Sequence, residues 1–199
     1  MRATWIHSAV ALWVVVCTLP AFAETPLPAG AVTVVNEDRF GAMVAVCAET
    51  GEPDIQQGAK KIRGTAVWVG DGASFQRIHA GRGACDPAWS PDGRRLAVTA
   101  SDGLWVFPAR SPDGALRVES RLPLGSIEIN YRSFSGPRWS PDGTLLALIV
   151  TNGATSWVEV FEVSTGRLFY TSPPANDSFN WTSARELKLG DTKIQLPRR

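Results

Sequence analysis

The sequence predicts an all-β fold that is built from a repeated unit. Two copies of the pentapeptide Trp-Ser-Pro-Asp-Gly, at residues 89–93 and 139–143, stand 50 residues apart. Self-similarity at a period of about 40–50 residues is the signature of a repeat architecture. Glycine and proline, 18 and 14 residues, recur between short apolar runs, and no segment after the N-terminus has a convincing helical period. We therefore expect short strands joined by tight turns.

The repeat extends past the pentapeptide. Residues 96–103 (LAVTASDG) match residues 146–153 (LALIVTNG), and residues 44–51 (VAVCAETG) fit the same frame. In that earliest copy the upstream turn is expected at residues 37–40, and Gly41 stands where Gly93 and Gly143 stand in the other copies. The copies lie near 31–83, 84–134 and 135–177, and a partial fourth near 178–197 completes a single domain, 24–199.

Each copy reads as a four-stranded antiparallel sheet. In the second copy the strands are predicted at 86–90, 96–100, 104–109 and 116–122. The first two are joined by Ser-Pro-Asp-Gly, in which proline presets φ and glycine supplies the left-handed residue of the hairpin. In the third copy we expect later strands at 157–163 and 167–172. In the fourth copy we expect short strands at 179–181, 187–189 and 193–196.

Six tryptophans lie beyond residue 24, in two sets that recur once per copy. One set opens the pentapeptide or a decayed version of it, and the other follows an apolar run and a turn. Regular placement of a large apolar side chain is what packing between neighbouring sheets requires. We therefore predict that the tryptophans are core rather than ligand platforms and that the aspartates and glycines shape turns. These residues are Trp89, Asp92, Gly93, Trp105, Trp139, Asp142, Gly143, Trp157 and Trp181.

These residues resemble the TolB-like repeat, a relative of the WD-type propeller blade. The mark of that family is the Trp-Ser-Pro-Asp-Gly hairpin followed by Leu-Ala and then by an aromatic-containing strand. The resemblance covers about residues 31–197 and implies a β-propeller-like array of three full blades and a partial fourth. By resemblance, such propellers act in the bacterial envelope, where the ring contacts a lipoprotein and other proteins. The chain lacks the separate α/β domain and about half of the blades of the family's namesake, so we expect only an envelope protein-binding role.

Residues 1–23 have the pattern of a secretory signal peptide. Arg2 provides a positive start, residues 5–16 are apolar, and Ala21-Phe22-Ala23 fits the small-x-small cleavage rule. The apolar stretch is shorter than the roughly 20 residues that span a bilayer. A lipoprotein site at Cys17 is disfavoured because Val16 precedes it. We expect cleavage after Ala23, no membrane span afterwards, and a periplasmic or secreted protein.

The charge balance argues against a nucleic-acid partner. Removing the signal segment removes Arg2 and no acidic residue, which leaves 19 basic and 19 acidic residues. No basic stripe is present to neutralise a phosphate backbone.

Two cysteines remain after cleavage, Cys47 and Cys85, and an even number in an exported protein favours a disulfide. Cys47 lies on the second strand of the first copy, and Cys85 lies just before the first strand of the second copy. A bridge between them would clamp two neighbouring blades. Two buried free thiols are the alternative.

The sequence offers little catalytic chemistry. His79 is the one histidine of the mature chain, no Gly-x-Ser-x-Gly elbow is present, and one histidine with two separated cysteines does not make a usual zinc site. The aspartates beside glycines do not match a calcium loop and read as turn caps. Glu128, Glu159 and Glu162 are candidates only for a carboxylate pair of a glycosidase. We expect no catalytic residue, no metal and no cofactor.

The sequence does not decide whether the array closes into a ring. Propellers usually have four to eight blades, and this chain supplies three and a fragment. Residues 31–35 could complete the last blade and close a small ring, two chains could form a larger ring, or the array could stay open and dock its end blade on another protein. An open array would expose an apolar blade face, which favours closure or a partner.

The leading interpretation is an exported, non-catalytic scaffold that binds an envelope protein, a lipoprotein being one possibility, or that self-associates. The alternatives are an accessory glycan- or peptide-binding module and, less favoured, a hydrolase. Contacts are expected from the insertion 52–64 and from aromatic residues in the connections between copies. The residues predicted for this surface are Lys60, Lys61, Arg63, Tyr131, Phe134 and Phe179.

Overall fold

The computed structural model describes residues 27–57, 60–83, 85–100, 103–109, 120–121, 133–152, 155–174 and 178–197. Within these ranges the regular secondary structure consists of seventeen β-strands, which confirms the all-β class. No helix in the described part of the chain is long and apolar enough to cross a membrane. The predicted signal peptide, residues 1–23, lies outside the described residues.

The first sheet, blade 1, comes from the earliest copy of the repeat, and its four strands pair in the order β1-β2-β5-β6. The predicted surface insertion adds a separate two-stranded hairpin, β3-β4, between β2 and β5. The strands are β1 (Ala31–Phe40), β2 (Met43–Thr50), β3 (Ile55–Gln57), β4 (Lys60–Ile62), β5 (Gly64–Gly70) and β6 (Phe75–Arg82).

Blades 2, 3 and 4 follow the chain in the same way, and their strands pair antiparallel in sequence order. The strands of blade 2 are β7 (Asp86–Trp89), β8 (Arg95–Ala100), β9 (Gly103–Pro108) and β10 (Ser120–Arg121). Those of blade 3 are β11 (Ser133–Trp139), β12 (Leu145–Thr151), β13 (Ser156–Glu162) and β14 (Arg167–Thr171). Those of blade 4 are β15 (Phe179–Ser183), β16 (Glu186–Leu189) and β17 (Thr192–Gln195).

The predicted strands are confirmed to within a few residues, with two corrections in blade 1. Residues 37–40, predicted as a turn, continue β1 and pair with β2 as far as Phe40 opposite Met43. Gly41 and Ala42 alone make the turn, with Gly41 at φ +58°, because no proline interrupts the strand. Residues 31–35 belong to the same strand and pair within blade 1, so they do not complete blade 4. Of the predicted strand 116–122, only β10 lies within the described residues.

The core lies between the blades, because successive side chains of a strand point to opposite faces. We call the contact of blades 1 and 2 junction 1, that of blades 2 and 3 junction 2, and that of blades 3 and 4 junction 3. Ala45 and Cys47 of β2 pack with Leu96 and Val98 of β8 in junction 1. Junction 2 and junction 3 repeat the arrangement with Leu104 and Val106 packing with Leu146 and Leu148, and with Ala147 and Val160 packing with Phe179 and Leu187.

The Ser-Asp-Gly part of the pentapeptide builds the turn through local hydrogen bonds. The buried Ser90 hydroxyl donates to Asp92 Oδ1 at 2.6 Å and accepts from the Arg95 N–H at 2.9 Å, while Asp92 Oδ1 also accepts from the Arg94 N–H at 3.1 Å. The pKa of Asp92 is lowered, chiefly by the Ser90 hydroxyl. These bonds hold the carboxylate as a turn cap.

The second pentapeptide repeats this turn in blade 3. Ser140 donates to Asp142 at 2.6 Å, and the Thr144 N–H donates to the same carboxylate at 3.1 Å. Burial acts to raise the pKa of Asp142, but the hydrogen bonds from Ser140 and Thr144 outweigh it, and the pKa is lowered. Two turns with the same bonds explain why the same residue types recur.

Gly93→Ala should lower the free energy of unfolding more than Gly143→Ala, in urea denaturation. Both glycines have positive φ, +65° and +67°, so either alanine carries a backbone cost of about 1–2 kcal/mol. A Cβ at residue 93 would also lie 2.1 Å from the Phe40 ring of blade 1, whereas at residue 143 the nearest atom is Arg95 Nη2 at 3.4 Å. In a Phe40→Ala background the excess cost at residue 93 should disappear. An excess that persists there would contradict this explanation.

Candidate functional site

The first strands of the four blades, β1, β7, β11 and β15, lie side by side and form the inner edge of the array. The tryptophan of each motif ties its blade to the preceding one. Trp89 Nε1 donates to the Asp38 carbonyl at 3.3 Å, Trp139 Nε1 to the Ala88 carbonyl at 2.8 Å, and Trp181 Nε1 to the Arg138 carbonyl at 2.9 Å. We call these three bonds the indole ladder. It explains structurally why a tryptophan recurs in blades 2, 3 and 4, each of which follows another blade.

Side chains of the inner strands add bonds across junctions 1 and 2. Asp38 Oδ2 accepts from the Trp89 N–H at 2.6 Å. The Asn36 amide donates to the Cys85 carbonyl at 3.1 Å and to the Asp86 carboxylate. Asp86 Oδ2 also accepts from the Gly136 N–H of blade 3 at 3.0 Å. Asp86 therefore connects blades 1, 2 and 3.

Arginines reinforce junctions 2 and 3. The Arg95 guanidinium lies 5.1 Å from the centroid of the Trp139 ring and donates to the Gly143 carbonyl at 2.9 Å. Arg138 donates to Asn180 and lies 5.6 Å from the Phe179 ring centroid. Such cation–π contacts contribute about 0.5–2 kcal/mol each, depending on desolvation.

An open groove of about 420 Å³ runs along the inner edge of blades 1 to 3. Its walls combine rigid apolar surface with charges of both signs, and Arg39 and Glu37 form an ion pair at 3.3 Å. Such a lining offers stacking surface together with hydrogen-bond donors and acceptors, which suits a segment of polypeptide. The lining residues are Glu37, Asp38, Arg39, Phe40, Pro87, Ala88, Trp89, Ser90, Pro91, Pro137, Arg138 and Trp139.

The predicted disulfide is confirmed. Cys47 of β2 and Cys85, just before β7, are bonded, with their Cα atoms 5.9 Å apart and a sequence separation of 38. Both residues are buried in junction 1. The bond links the middle of blade 1 to the entry of blade 2.

The tryptophans predicted as core pack between blades, but their burial differs. Trp89 and Trp139 are buried, whereas Trp105, Trp157 and Trp181 are partly buried and pack against the junction clusters. Trp68 is buried as well, in a cluster formed by blade 1 alone. The Trp105 ring lies 4.9 Å from the His79 ring of blade 1.

Trp157 is not in the register that the sequence alignment predicts. Trp68 lies opposite Val46 and Trp105 opposite Val98, but the equivalent partner of Leu148 is Glu159. Glu159 is buried, and its Oε1 accepts from Trp157 Nε1 at 2.9 Å. Sequence reasoning missed this exchange because Trp157 also follows a turn, and only the strand pairing shows the two-residue offset.

Two residues predicted for the partner surface are core residues instead. Phe134 on β11 is 8% exposed and packs in junction 2, and Phe179 on β15 is 1% exposed and packs in junction 3. Phe134 is the second residue of β11 and Phe179 is the first residue of β15, and both face the preceding blade. Tyr131 lies outside the described residues.

The basic part of that predicted surface lies on the insertion. Lys60 and Lys61 belong to β4, and Arg63 follows it. Lys61 is exposed and pairs with Asp54 at 2.8 Å, while exposed Arg63 pairs with Glu49, which raises the pKa of the guanidinium. None of these residues lines the groove, and the role of the hairpin in binding stays a prediction.

Carboxylates outside the pentapeptides also act in turns and ion pairs. Asp71 Oδ1 accepts from the Ala73 and Ser74 N–H groups at 2.9 Å, and these bonds, that of Ser74 first, lower the pKa of Asp71. Asp191 pairs with Lys188 at 3.7 Å. Within the described residues no three His, Cys, Asp or Glu side chains lie close enough to hold a metal ion.

The groove residues were missed from the sequence. The strand pairing places Asp38, Ala88 and Arg138 at one position, directly before Arg39, Trp89 and Trp139. The sequence frame that aligns Gly41 with Gly93 does not show this equivalence, because it places residue 37 opposite Trp89.

No protein-family model matches the sequence, and no curated protein sequence matches it. Solved structures do match by fold. TolB from Acinetobacter baumannii has a TM-score of 0.50 at 15% identity, over 79% of this chain and 37% of that chain. The β-propeller domain of the Trilobed protease from Pyrococcus furiosus has a TM-score of 0.51 at 14% identity, over 79% of this chain and 47% of that chain.

A complex of KlAtg21 with the coiled-coil of AgAtg16 matches with a TM-score of 0.50 at 18% identity, over 83% of this chain and 53% of that chain. The chain thus spans between about a third and about a half of the structures that it matches. At these identities the likeness concerns the fold. Together with the four sheets and the indole ladder, it shows that the chain is an array of β-propeller blades similar in fold to TolB.

Proposed function

We propose that the chain is an exported binding protein of the bacterial envelope, which holds a segment of another protein in its inner-strand groove without catalysing a reaction. The observation that carries this proposal is the groove itself. It is fixed by the indole ladder on three blades, and it presents Arg39, Glu37 and Arg138 beside proline and tryptophan surface. A preformed concave surface of mixed polarity is typical of a recognition site.

Support for an extracytoplasmic location comes from the disulfide between Cys47 and Cys85. Such bonds persist mainly in oxidising compartments. The likeness in fold to TolB and the signal-like pattern of residues 1–23 agree with export.

The polar groups of the groove act in binding and support rather than in chemistry. Asp38 is engaged by the Trp89 N–H, and Glu37 by Arg39. The glycosidase candidates are engaged as well, since Glu159 bonds to Trp157 and Glu162 accepts from the Thr165 hydroxyl at 2.6 Å. Glu128 lies outside the described residues.

A photo-crosslinking amino acid at residue 39 should capture a defined envelope protein in living cells. Arg138→Glu should reduce the captured complex at least about tenfold, because it reverses the basic charge that remains in the groove when the probe replaces Arg39. Thermal unfolding of the variant separates this effect from loss of the Arg138 contacts with Asn180 and Phe179. The readout is mass spectrometry of the crosslinked envelope fraction.

The matched control places the same probe at Lys61, which is exposed on the insertion hairpin. Capture at residue 39 but not at residue 61 supports the groove, and capture only at residue 61 would move the binding surface to the hairpin. Turnover of peptide or glycoside substrates that is abolished by a single carboxylate substitution would contradict the non-catalytic proposal.

A further inference from the structure

A second cavity, of about 430 Å³, lies where the first hairpin turns of blades 1 and 2 meet, and we call it the Phe40 pocket. Phe40 lines both this pocket and the inner-strand groove, so the two spaces adjoin at this residue. The volume is within the range of small-ligand sites, about 300–1,000 Å³. The lining residues are Phe40, Met43, Asp92, Gly93, Arg94 and Ala109.

At junction 2 the corresponding position is filled by an arginine of the chain itself. Arg95, the first residue of β8, reaches the pentapeptide turn of blade 3. Its guanidinium lies 5.1 Å from the Trp139 ring centroid and donates to the Gly143 carbonyl at 2.9 Å. Junction 2 therefore shows what this position of the repeat binds, which is a guanidinium between an aromatic ring and a turn carbonyl.

Blade 1 has Met43 where blade 2 has Arg95. The aligned runs 44–51 and 96–103 begin one residue after each of them, and both residues begin the second strand of their blade. A methionine side chain has no charge and no hydrogen-bond donor. Residue 43 therefore cannot bond to the turn carbonyl of the next blade as Arg95 does, and a cavity lies beside it.

The turn that lines the pocket has the same conformation as the turn that binds Arg95. Gly93 and Gly143 have φ angles of +65° and +67°. In each turn the serine hydroxyl and the N–H that follows the glycine both donate to the aspartate carboxylate. The Gly93 carbonyl therefore points toward the preceding blade, as the Gly143 carbonyl does.

Asp92 adds a carboxylate to this acceptor. Among the described residues, the Ser90 hydroxyl and the Arg94 N–H both donate to Oδ1, which fixes the group and leaves Oδ2 for a ligand. The Ser90 bond is the main cause of the lowered pKa of Asp92, so the carboxylate is charged at neutral pH. A fixed carboxylate beside a carbonyl favours a cationic donor, because hydrogen bonds that involve a charged group are roughly twice as strong as neutral ones.

The apolar walls suit the flat face of a guanidinium. The Phe40 ring packs directly against Gly93 and is still 41% exposed, so it offers a surface for a cation–π contact. Met43 adds a polarizable thioether. Arg94 brings a positive charge to the lining, but it is exposed and its long side chain can turn into water, whereas the Asp92 carboxylate is held by the turn. The fixed groups of the pocket are therefore acceptors.

We propose that the Phe40 pocket binds the guanidinium group of an arginine from a partner polypeptide, in the place that Arg95 fills at junction 2. The guanidinium stacks on Phe40 and donates to the Gly93 carbonyl and to Asp92. A planar group with several donors serves both acceptors and the ring at once, which an ammonium group does not. The source of the arginine rests on the proposed function, because the pocket adjoins the groove that holds the segment.

Methyl-¹³C labelling of methionine in the exported chain gives the pocket an NMR signal of its own. The sequence has two methionines, Met1 and Met43, and Met43→Leu identifies the signal of the pocket. Titration with N-acetyl-arginine amide should shift this signal saturably, with a dissociation constant of about 1–10 mM. N-acetyl-citrulline amide has a neutral urea in place of the guanidinium and should bind at least about tenfold more weakly.

The repeat supplies a matched pair of variants. Asp92→Asn keeps an oxygen for the turn bonds but removes the charge, so it should weaken binding of the arginine probe at least about fivefold. Asp142→Asn makes the same change in the turn of blade 3, outside the pocket, and should leave binding unchanged. Thermal unfolding checks that the two variants are folded, and their costs should be similar because the two turns have the same bonds.

Three results would overturn the proposal: a Met43 signal that does not respond to the arginine probe, equal binding of the citrulline probe, or equal effects of the two variants on binding. None of these measurements needs the envelope partner. A response of Met43 without capture at residue 39 would support the pocket and count against the proposed function. Capture at residue 39 without a response of Met43 would do the reverse.

Discussion

Trp139→Ala should lower the free energy of unfolding by about 3–5 kcal/mol, measured by urea denaturation. Trp139 is 7% exposed and packs in junction 2. The substitution removes the bond to the Ala88 carbonyl and the surface on which Arg95 stacks. Loss of this one side chain therefore removes packing, a hydrogen bond and a cation–π contact from junction 2.

Two comparison variants separate these effects. Trp139→Phe keeps an aromatic ring but leaves the Ala88 carbonyl without its indole donor, and should cost about 1–2 kcal/mol. Trp181→Ala removes the equivalent ladder bond at junction 3 from a partly buried side chain, so its cost should be smaller than that of Trp139→Ala. Equal costs at both positions would show that burial does not set the contribution of the ladder.

The repeat and its turns could be predicted from the sequence because their causes are local. The hydrogen bonds of Ser90 and Asp92 stay within residues 90–95, and Gly93 supplies the left-handed residue of the same turn. The residue types themselves therefore specify the hairpin. The recurrence of the motif at Trp139 then shows which residues of the next blade correspond to those of blade 2. The same argument placed Cys47 and Cys85 on adjacent blades.

The errors arose where a neighbouring blade decides the structure. Phe134 and Phe179 look like loop aromatics, but each faces an adjacent blade from the start of an inner strand. Local propensity does not contain the contacts of Phe134 and Phe179, because they join residues of different blades. Residues 37–40 are a separate error within blade 1, where they look like a degenerate turn but pairing with β2 holds them extended.

The groove could not be predicted from the sequence for a related reason. The ladder joins a tryptophan side chain to a backbone carbonyl of the preceding blade, and a carbonyl has no residue type to recognise. Arg39 and Arg138 come together only because β1 and β11 both lie beside β7. The sequence shows them as two isolated charges that are 99 positions apart.

Loss of the Cys47–Cys85 disulfide should lower the free energy of unfolding by about 3–4 kcal/mol, the loop-closure value for a separation of this size. A reductant should lower the urea midpoint of the native chain to that of the Cys47→Ala, Cys85→Ala double variant. The same reductant should leave the double variant unchanged. A native chain that keeps its midpoint after verified reduction would contradict the expected contribution.

The position of the disulfide predicts where the weakened molecule opens first. The bond joins β2 to the residue before β7, so its reduction removes a link at junction 1 and none at junctions 2 and 3. Among the described residues, junction 1 also has no equivalent of the stacked Arg95 of junction 2. Hydrogen exchange should therefore accelerate more in β2 and β5 than in β12 and β13 once the disulfide is reduced. Uniform acceleration across all four strands would mean that the blades unfold as one unit and that the disulfide acts on the unfolded chain alone.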